Sequence, residues 1–153
     1  MEHALRKFES KDAPMVKDLI LAILAKEYPF DKSAYSDSDL DKIGQTYGGK
    51  RETFFVIDED GKIAGTVGIK EDAKDEALMR RLFVSADCRK RGYGTELVDA
   101  AVKFCRENGY KKIFFRCTGR MKDAMSLCAK KGFVKAEELE ISGFKIHKLE
   151  FSI

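Results

Sequence analysis

The chain has 153 residues, of which 44% are hydrophobic, and its 29 basic residues against 26 acidic ones give a net charge of +3. That length fits one domain, 1–153, with an ordinary packed core, and the charge is too balanced for a dedicated nucleic-acid binder. No apolar run nears the ~20 residues that span a bilayer, no N-terminal leader pattern is present, and Cys88, Cys105, Cys117 and Cys128 form no C-x-x-C pair, so the expectation is a cytoplasmic chain with reduced thiols and no metal or membrane contact.

Ala4 to Phe8 is short enough to be an edge strand. Ser10 or Asp12 can cap the helix that follows, with Pro14 tolerated in its first turn. Met15, Val16, Leu19, Ile20, Ile23 and Leu24 then recur at helical spacing. Tyr28-Pro29-Phe30 ends that helix, and a second, weaker one is predicted over Ser38 to Tyr47, closed by Gly48-Gly49. Thr53 to Asp58 reads as a strand, Glu59-Asp60-Gly61 as a hairpin turn, and Lys62 to Lys70 as the partner strand. Gly65 and Gly68 in that partner signal a bulge or a close backbone neighbour. Glu71 to Glu76 reads as an acidic turn and Ala77 to Val84 as the next strand. Helical spacing returns from Gly94 to Asn108, with Gly109 as its C′ residue. Ile113 to Cys117 is a strand, and Lys122 to Lys131 a short helix stopped by Gly132. Phe133 to Glu138 and Phe144 to Phe151 form a closing hairpin around Ser142-Gly143, whose last strand slips apolar phase and so predicts a bulge near His147-Lys148 or a turn placed elsewhere. Strands alternating with helices, then a hairpin, imply an α/β layer on a mixed sheet.

The most informative stretch lies between the fourth strand and the long helix. Leu82-Phe83-Val84 ends a strand, and Arg89, Lys90, Arg91, Gly92 and Gly94 lead straight into helical spacing. Glycines allow positive φ and close backbone approach. The unpaired N–H groups of a helix start favour an anion, and three adjacent cations add to that preference. The physical reading is a phosphate cradle; the bland alternative is a solvated basic turn. The spacing matches neither a P-loop nor a dinucleotide fingerprint.

Arg89-Lys90-Arg91-Gly92-Tyr93-Gly94 fits the [RQ]-x-x-G-x-[GA] signature of the GNAT N-acetyltransferase superfamily. Arg81-Leu82-Phe83-Val84 resembles that family's R-L-[YF]-V strand end, and Gly132-Phe133 its later G-F element. The resemblance spans roughly Ala4 to Phe151. It implies a three-layer α/β fold: a mixed, mostly antiparallel sheet, helices on both faces, and a splayed central strand pair that admits the pantetheine of acetyl-CoA. It assigns Arg89, Lys90, Arg91, Gly92, Tyr93, Gly94 and Thr95 to the pyrophosphate, mostly through backbone N–H, and the main chain of Leu82 and Val84 to the pantetheine, with an N–H near Leu82 for the oxyanion. It places the acceptor, a small-molecule or peptide amine, near Tyr28, Phe30 and Tyr35; aromatics closing the rim of the core are the competing reading. A homodimer through the terminal hairpin is an expectation by the same analogy.

Acyl transfer from a thioester to an amine needs a neutral amine, an oxyanion donor and an acid for the leaving thiolate, but no covalent enzyme intermediate. Many relatives carry a Tyr where this chain has Cys128, and an Asn where it has Met121. A thiol of pKa ~8.5 can protonate a thiolate, so Cys128 is the candidate acid, against the reading of a small buried residue. The family's strand Glu corresponds to Leu78, which leaves Glu76 as the candidate base or a solvated turn residue. His3 and His147 read as surface or strand residues. The leading expectation is an acetyl-CoA-dependent N-acyltransferase working by direct attack. A non-catalytic acyl-CoA-binding or sensing module is the alternative, and a nucleic-acid-binding domain comes third.

Overall fold

The computed structural model describes residues 2–29, 39–141 and 143–153. Its elements are β1 (His3–Lys7), α1 (Ala13–Glu27), α2 (Ile43–Thr46), β2 (Thr53–Glu59), β3 (Lys62–Ala73), β4 (Glu76–Val84), α3 (Tyr93–Glu107), β5 (Lys112–Thr118), α4 (Lys122–Lys130), β6 (Val134–Ile141) and β7 (Phe144–Ser152). One seven-stranded sheet runs β1-β2-β3-β4-β5-β7-β6. Every neighbouring pair is antiparallel except β4 and β5, the pair joined by α3, as a parallel pair requires a crossover.

The glycines of β3 explain how the layers stack. Gly65 and Gly68 sit three apart in an unbroken stretch of the β2 register, so they face opposite sides of the sheet. A Cβ on Gly65 would lie 2.9 Å from Leu97 of α3, and one on Gly68 would lie 2.8 Å from the Tyr47 ring just after α2. Bare backbone on both faces thus lets α3 come down on one side and the α1–α2 region on the other. Helix α3 buries Leu97, Val98, Ala101 and Cys105 completely, a stripe at i, i+1, i+4 and i+8. Complete burial of an aliphatic side chain such as Leu97 contributes about 1.5–3 kcal/mol. Val16, Ile20 and Leu24 do the same work for α1, and these residues belong to one buried cluster with Met79 and Ile113.

Several expectations shift at this level. The hairpin turn is Asp60-Gly61, both at positive φ, while Gly109 follows the C-cap Asn108 of α3 at φ +79°, as expected of a C′ residue. Asp12 does not cap α1 through its side chain; its buried carboxylate instead takes two hydrogen bonds from Arg6 and one from the Glu9 N–H. The predicted acidic turn over Glu71 to Glu76 is mostly strand, because β3 and β4 pair as far as Ala73↔Glu76, leaving Lys74-Asp75 as the turn. Of the predicted helix over 38–47, Ser38 lies outside the described residues, and α2 covers Ile43–Thr46 alone. The bulge expected near His147-Lys148 is not in β7. β5 and β7 pair without interruption from Lys112↔Ser152 to Thr118↔Ile146, and the extra residue is Ala136 of the partner strand β6, between Lys135↔Leu149 and Glu137↔Lys148. The change of apolar phase in β7 has another cause: the strand is interior, and it buries Ile146 towards one face and Leu149 towards the other.

Candidate active site

Two departures from regular pairing in β4 create the site. Residues Glu76 to Met79 pair with Lys112 to Phe115, and there the pairing of β4 with β5 stops. From Arg80 to Val84 the β5-side edge of β4 has no strand partner, so an extended chain can add there by main-chain hydrogen bonds. On the β3 side, Arg80 opposes Gly68 and Phe83 opposes Thr66. Arg81 and Leu82 therefore share the space of Val67, which is a β-bulge.

Arg81 adopts φ +56° in this bulge, a conformation that costs a branched-chain or long residue of order 1–3 kcal/mol unless its surroundings enforce it. They do. Thr66 Oγ1 donates to the Arg81 carbonyl at 2.7 Å. Arg81 Nε donates to Asp39 Oδ2 at 3.0 Å, Nη2 donates to Asp39 Oδ1, and the Tyr47 hydroxyl donates to Asp39 Oδ2 at 2.8 Å. Burial pushes the Asp39 carboxyl up, but the Arg81 hydrogen bonds and charge, helped by Tyr47, outweigh it and hold the carboxyl below the usual range. Burial likewise raises the Tyr47 phenol, keeping it a hydrogen-bond donor.

After β4 the chain is tied back by the Ser85 N–H to Ala64 O at 2.8 Å. Lys90 and Gly92 take positive φ values of 65° and 82°, and α3 begins at Tyr93. Its first backbone bond to the loop is Glu96 N–H to Gly92 O at 3.0 Å. The N–H groups of Tyr93, Gly94 and Thr95 have no intrahelical acceptor, and no side chain caps the helix. A Cβ on Gly92 would meet nothing within 4 Å, whereas one on Gly94 would lie 2.8 Å from Leu127 of α4. Gly92 thus serves backbone conformation and Gly94 close packing of α3 on α4.

The basic side chains of the loop divide. Arg89 donates to Glu27 Oε2 at 2.7 Å and to the Val84 carbonyl at 3.1 Å. Arg91 is held by Glu59, with Nη1 at 3.0 Å from Oε2. The Tyr93 hydroxyl donates to the same carboxylate, whose acid form is disfavoured first by that bond and then by Arg91.

A cavity of about 490 Å³ occupies the gap beyond Met79, lined by Ile23 and Tyr28 from the α1 side, Leu82 to Val84, the loop, and Met121, Ala124 and Leu127 from the α4 side. It gathers most of the residues expected for cofactor binding: Leu82, Val84, Arg89, Lys90, Gly92, Tyr93, Gly94 and Thr95, with Tyr28 beside them. Arg91 is not in its lining, since Glu59 holds the guanidinium elsewhere, so only its backbone is left for the cradle. The Val84 carbonyl is occupied by Arg89. Cys128 is fully buried, does not line the cavity, and burial pushes its thiol up to about 12. Glu76 sits in the paired first half of β4, also away from the cavity. The fold therefore brings neither acid–base candidate to the split strands. Phe30 and Tyr35 lie outside the described residues. Asp123, Ser126 and Lys130 line the cavity unforeseen; their i, i+3, i+7 spacing on α4 was the available signal, and it marked the helix face opposite Cys128.

The arrangement offers unpaired amides and cations for a diphosphate, and an open strand edge for an extended amide-bearing arm. These are the recognition elements of a CoA thioester. The chain is similar to a camello N-acetyltransferase described as probable from Xenopus tropicalis, at 33% identity over 97 residues, 62% of this chain and 44% of that one. It therefore spans less than half the length of that relative. It is 25% identical to the uncharacterized N-acetyltransferase YjgM of Escherichia coli (strain K12), over 84% of this chain and 80% of that one. The fold matches an N-acetyltransferase from Staphylococcus aureus Mu50 with TM-score 0.85 at 14% identity, covering 99% of both chains. It matches Ard1 from Thermoplasma volcanium with TM-score 0.83 at 20% identity, covering 100% and 99%. The family model described as Acetyltransferase (GNAT) family matches residues 18–133, which take in the bulged strand, the loop and both flanking helices, and the chain belongs to that family.

Proposed function

We propose that the protein is an acyl-CoA-dependent N-acyltransferase that moves acetyl from acetyl-CoA to a primary amine by direct attack. The observation that carries this reading is the parting of β4 from β5 after Met79 and Phe115, which leaves Leu82 to Val84 to line one cavity together with Tyr93, Gly94 and Thr95 of the α3 start. The N–H groups of Tyr93, Gly94 and Thr95, with Arg89 and Lys90, hold the pyrophosphate. The unpaired edge of Leu82 to Val84 aligns the pantetheine. Main-chain N–H at the bulge, near Leu82, meets the negative charge that develops on the acyl oxygen; a preorganised donor of this kind is worth about 10²–10³ in rate. Tyr28 borders the acceptor end. The buried thiol of Cys128 is poorly placed to donate a proton, so the reading assigns the rate to orientation and amide electrostatics rather than to a side-chain acid.

Burial of Cys128 and the apolar Leu78 also suit the second reading, a module that binds acyl-CoA without turnover. One experiment separates them. Calorimetry with acetyl-CoA, followed by thiol-reagent detection of released CoA across a panel of amines, is expected to show binding and amine-dependent release. Binding without release for any amine leaves the sensing module; absence of binding at millimolar acetyl-CoA removes both.

A further inference from the structure

The face of the sheet opposite α3 carries a row of cations at the mouth of the split. In β4, Arg80 is the first residue past the last β5 pair and lies opposite Gly68, on the face that bears Tyr47. Its charge is felt by both Asp39 and Tyr47. In β5, Arg116 is likewise the first residue past that pair, and it is exposed. In β7, Lys148 is directly opposite Arg116. The alternation of side chains puts all three on one face: Arg116 and Lys148 stand on paired strands roughly 4.8 Å apart, and Arg80 faces them across the split.

No described carboxylate lies within ion-pair distance of Arg80 or Arg116. Asp39 is already committed to Arg81 and Tyr47. Glu150, one position along the sheet, pairs with Lys112 at 3.7 Å. Glu137 stands across from Lys148 at the edge strand, while Lys148 Nζ rests 4.1 Å from the centre of the Phe114 ring. Like charges directly opposite one another disfavour sheet pairing, and of the Arg116–Lys148 pair only Lys148 has a described partner, Glu137 across the strand and the Phe114 ring.

The cofactor loop and the start of α3 sit at the other end of the split and on the other face. With acyl-CoA on the loop side, in-line attack would bring the acceptor amine from the opposite face, the one that carries Arg80, Arg116 and Lys148. We infer that the acceptor carries an oxyanionic group, carboxylate or phosphate, which Arg80 and Arg116 grip with Lys148 as a third charge, leaving its amine over the gap. Guanidinium forks suit either oxyanion through paired N–H donors. This inference rests on the acyltransferase reading and narrows its substrate to anionic amines.

The test compares matched acceptors: an amino acid with its amide, and O-phosphoethanolamine with ethanolamine. In at least one pair, kcat/KM for the anionic member is expected to exceed that of its neutral partner by about tenfold or more, and the favoured pair identifies the oxyanion. In Arg80→Gln/Arg116→Gln that ratio falls towards one, with the acetyl-CoA Kd from calorimetry retained as the control for folding. Ratios near one or below in both pairs, or a ratio that survives the double substitution, overturn the inference. If acetyl-CoA binds but no amine is acetylated, the same pairs are titrated calorimetrically onto the CoA-saturated protein. Selective binding of the anionic member then keeps the inference while the transfer reading falls, and equal binding or none sinks both.

Discussion

Two clusters in this protein are built from the same parts, an arginine, a carboxylate and a tyrosine, and they do different work. In Arg81–Asp39–Tyr47 both charged side chains are 5% exposed, and the cluster links the bulge of β4 to the segment before α2. In Arg91–Glu59–Tyr93 the guanidinium is 38% exposed, and the cluster pins the loop's outer side chains to the end of β2. The first fixes a strained backbone where β4 has parted from β5. The second commits a guanidinium and a phenol to one carboxylate, leaving the backbone of these residues for the cradle. Chemistry of the parts does not separate these roles; burial and backbone position do.

Breaking the inner cluster is expected to give the largest effect. Asp39→Ala leaves Arg81 buried without its counter-charge, a loss of about 3–5 kcal/mol, read as a fall in the urea midpoint. Asp39→Leu combined with Arg81→Met is expected to recover most of that loss, since replacing a whole buried pair by apolar residues is often near neutral. The effect also depends on pH. The Asp39 carboxyl is held below its usual range in the fold, so its contribution is complete above about pH 4, the unfolded value, and is lost as pH falls through the lowered folded value. The stability gap between wild type and Asp39→Ala should therefore narrow on acidification; a constant gap would show that the pair does not hold the bulge electrostatically.

Gly92→Ala comes next. At φ +82° a Cβ costs about 1–2 kcal/mol, although it would meet no atom within 4 Å. A modest loss of melting temperature with at least a tenfold weaker acetyl-CoA Kd is expected, because relaxing this residue re-aims the amides of α3. Unchanged affinity would remove the cradle. A finer contrast lies within the loop: Lys90→Gln should weaken acetyl-CoA by about fivefold, and Arg91→Gln by less than about twofold, as its charge is spent on Glu59. Equal losses would mean that Arg91 turns inward when ligand binds. The smallest change is expected from Cys128→Ala. A buried thiol pushed up to about 12 is not a proton donor to the cavity, so turnover should hold while stability drops by about 1 kcal/mol; a slowed rate with intact acetyl-CoA affinity would return it to the mechanism.

Much of this was legible in the residues. Gly92, Gly94 and the helical spacing from Leu97 to Cys105 located the turn into α3, and the turn signals located the β2–β3 and β6–β7 hairpins, whereas the insertion of β7 between β5 and β6 had no local signal. What stayed hidden were long-range encounters. Asp39 meets Arg81 42 positions later, Glu59 meets Arg91 32 positions later, and the bulge expected in β7 belongs to its neighbour β6. Cys128 occupied a plausible place in sequence, yet its side chain fell on the buried face of α4 while Asp123, Ser126 and Lys130 took the face towards the cavity.

By itself the sequence determined most of the local parts: the long helices, most strands, and where amides gather at a helix start, because hydrophobic period and glycine conformation are properties of a few consecutive residues. Only the tertiary structure decided which charges are spent on one another and which stay available, since that depends on partners tens of residues away, on burial that sets the strength of each pair, and on the four-residue length over which β4 and β5 remain joined.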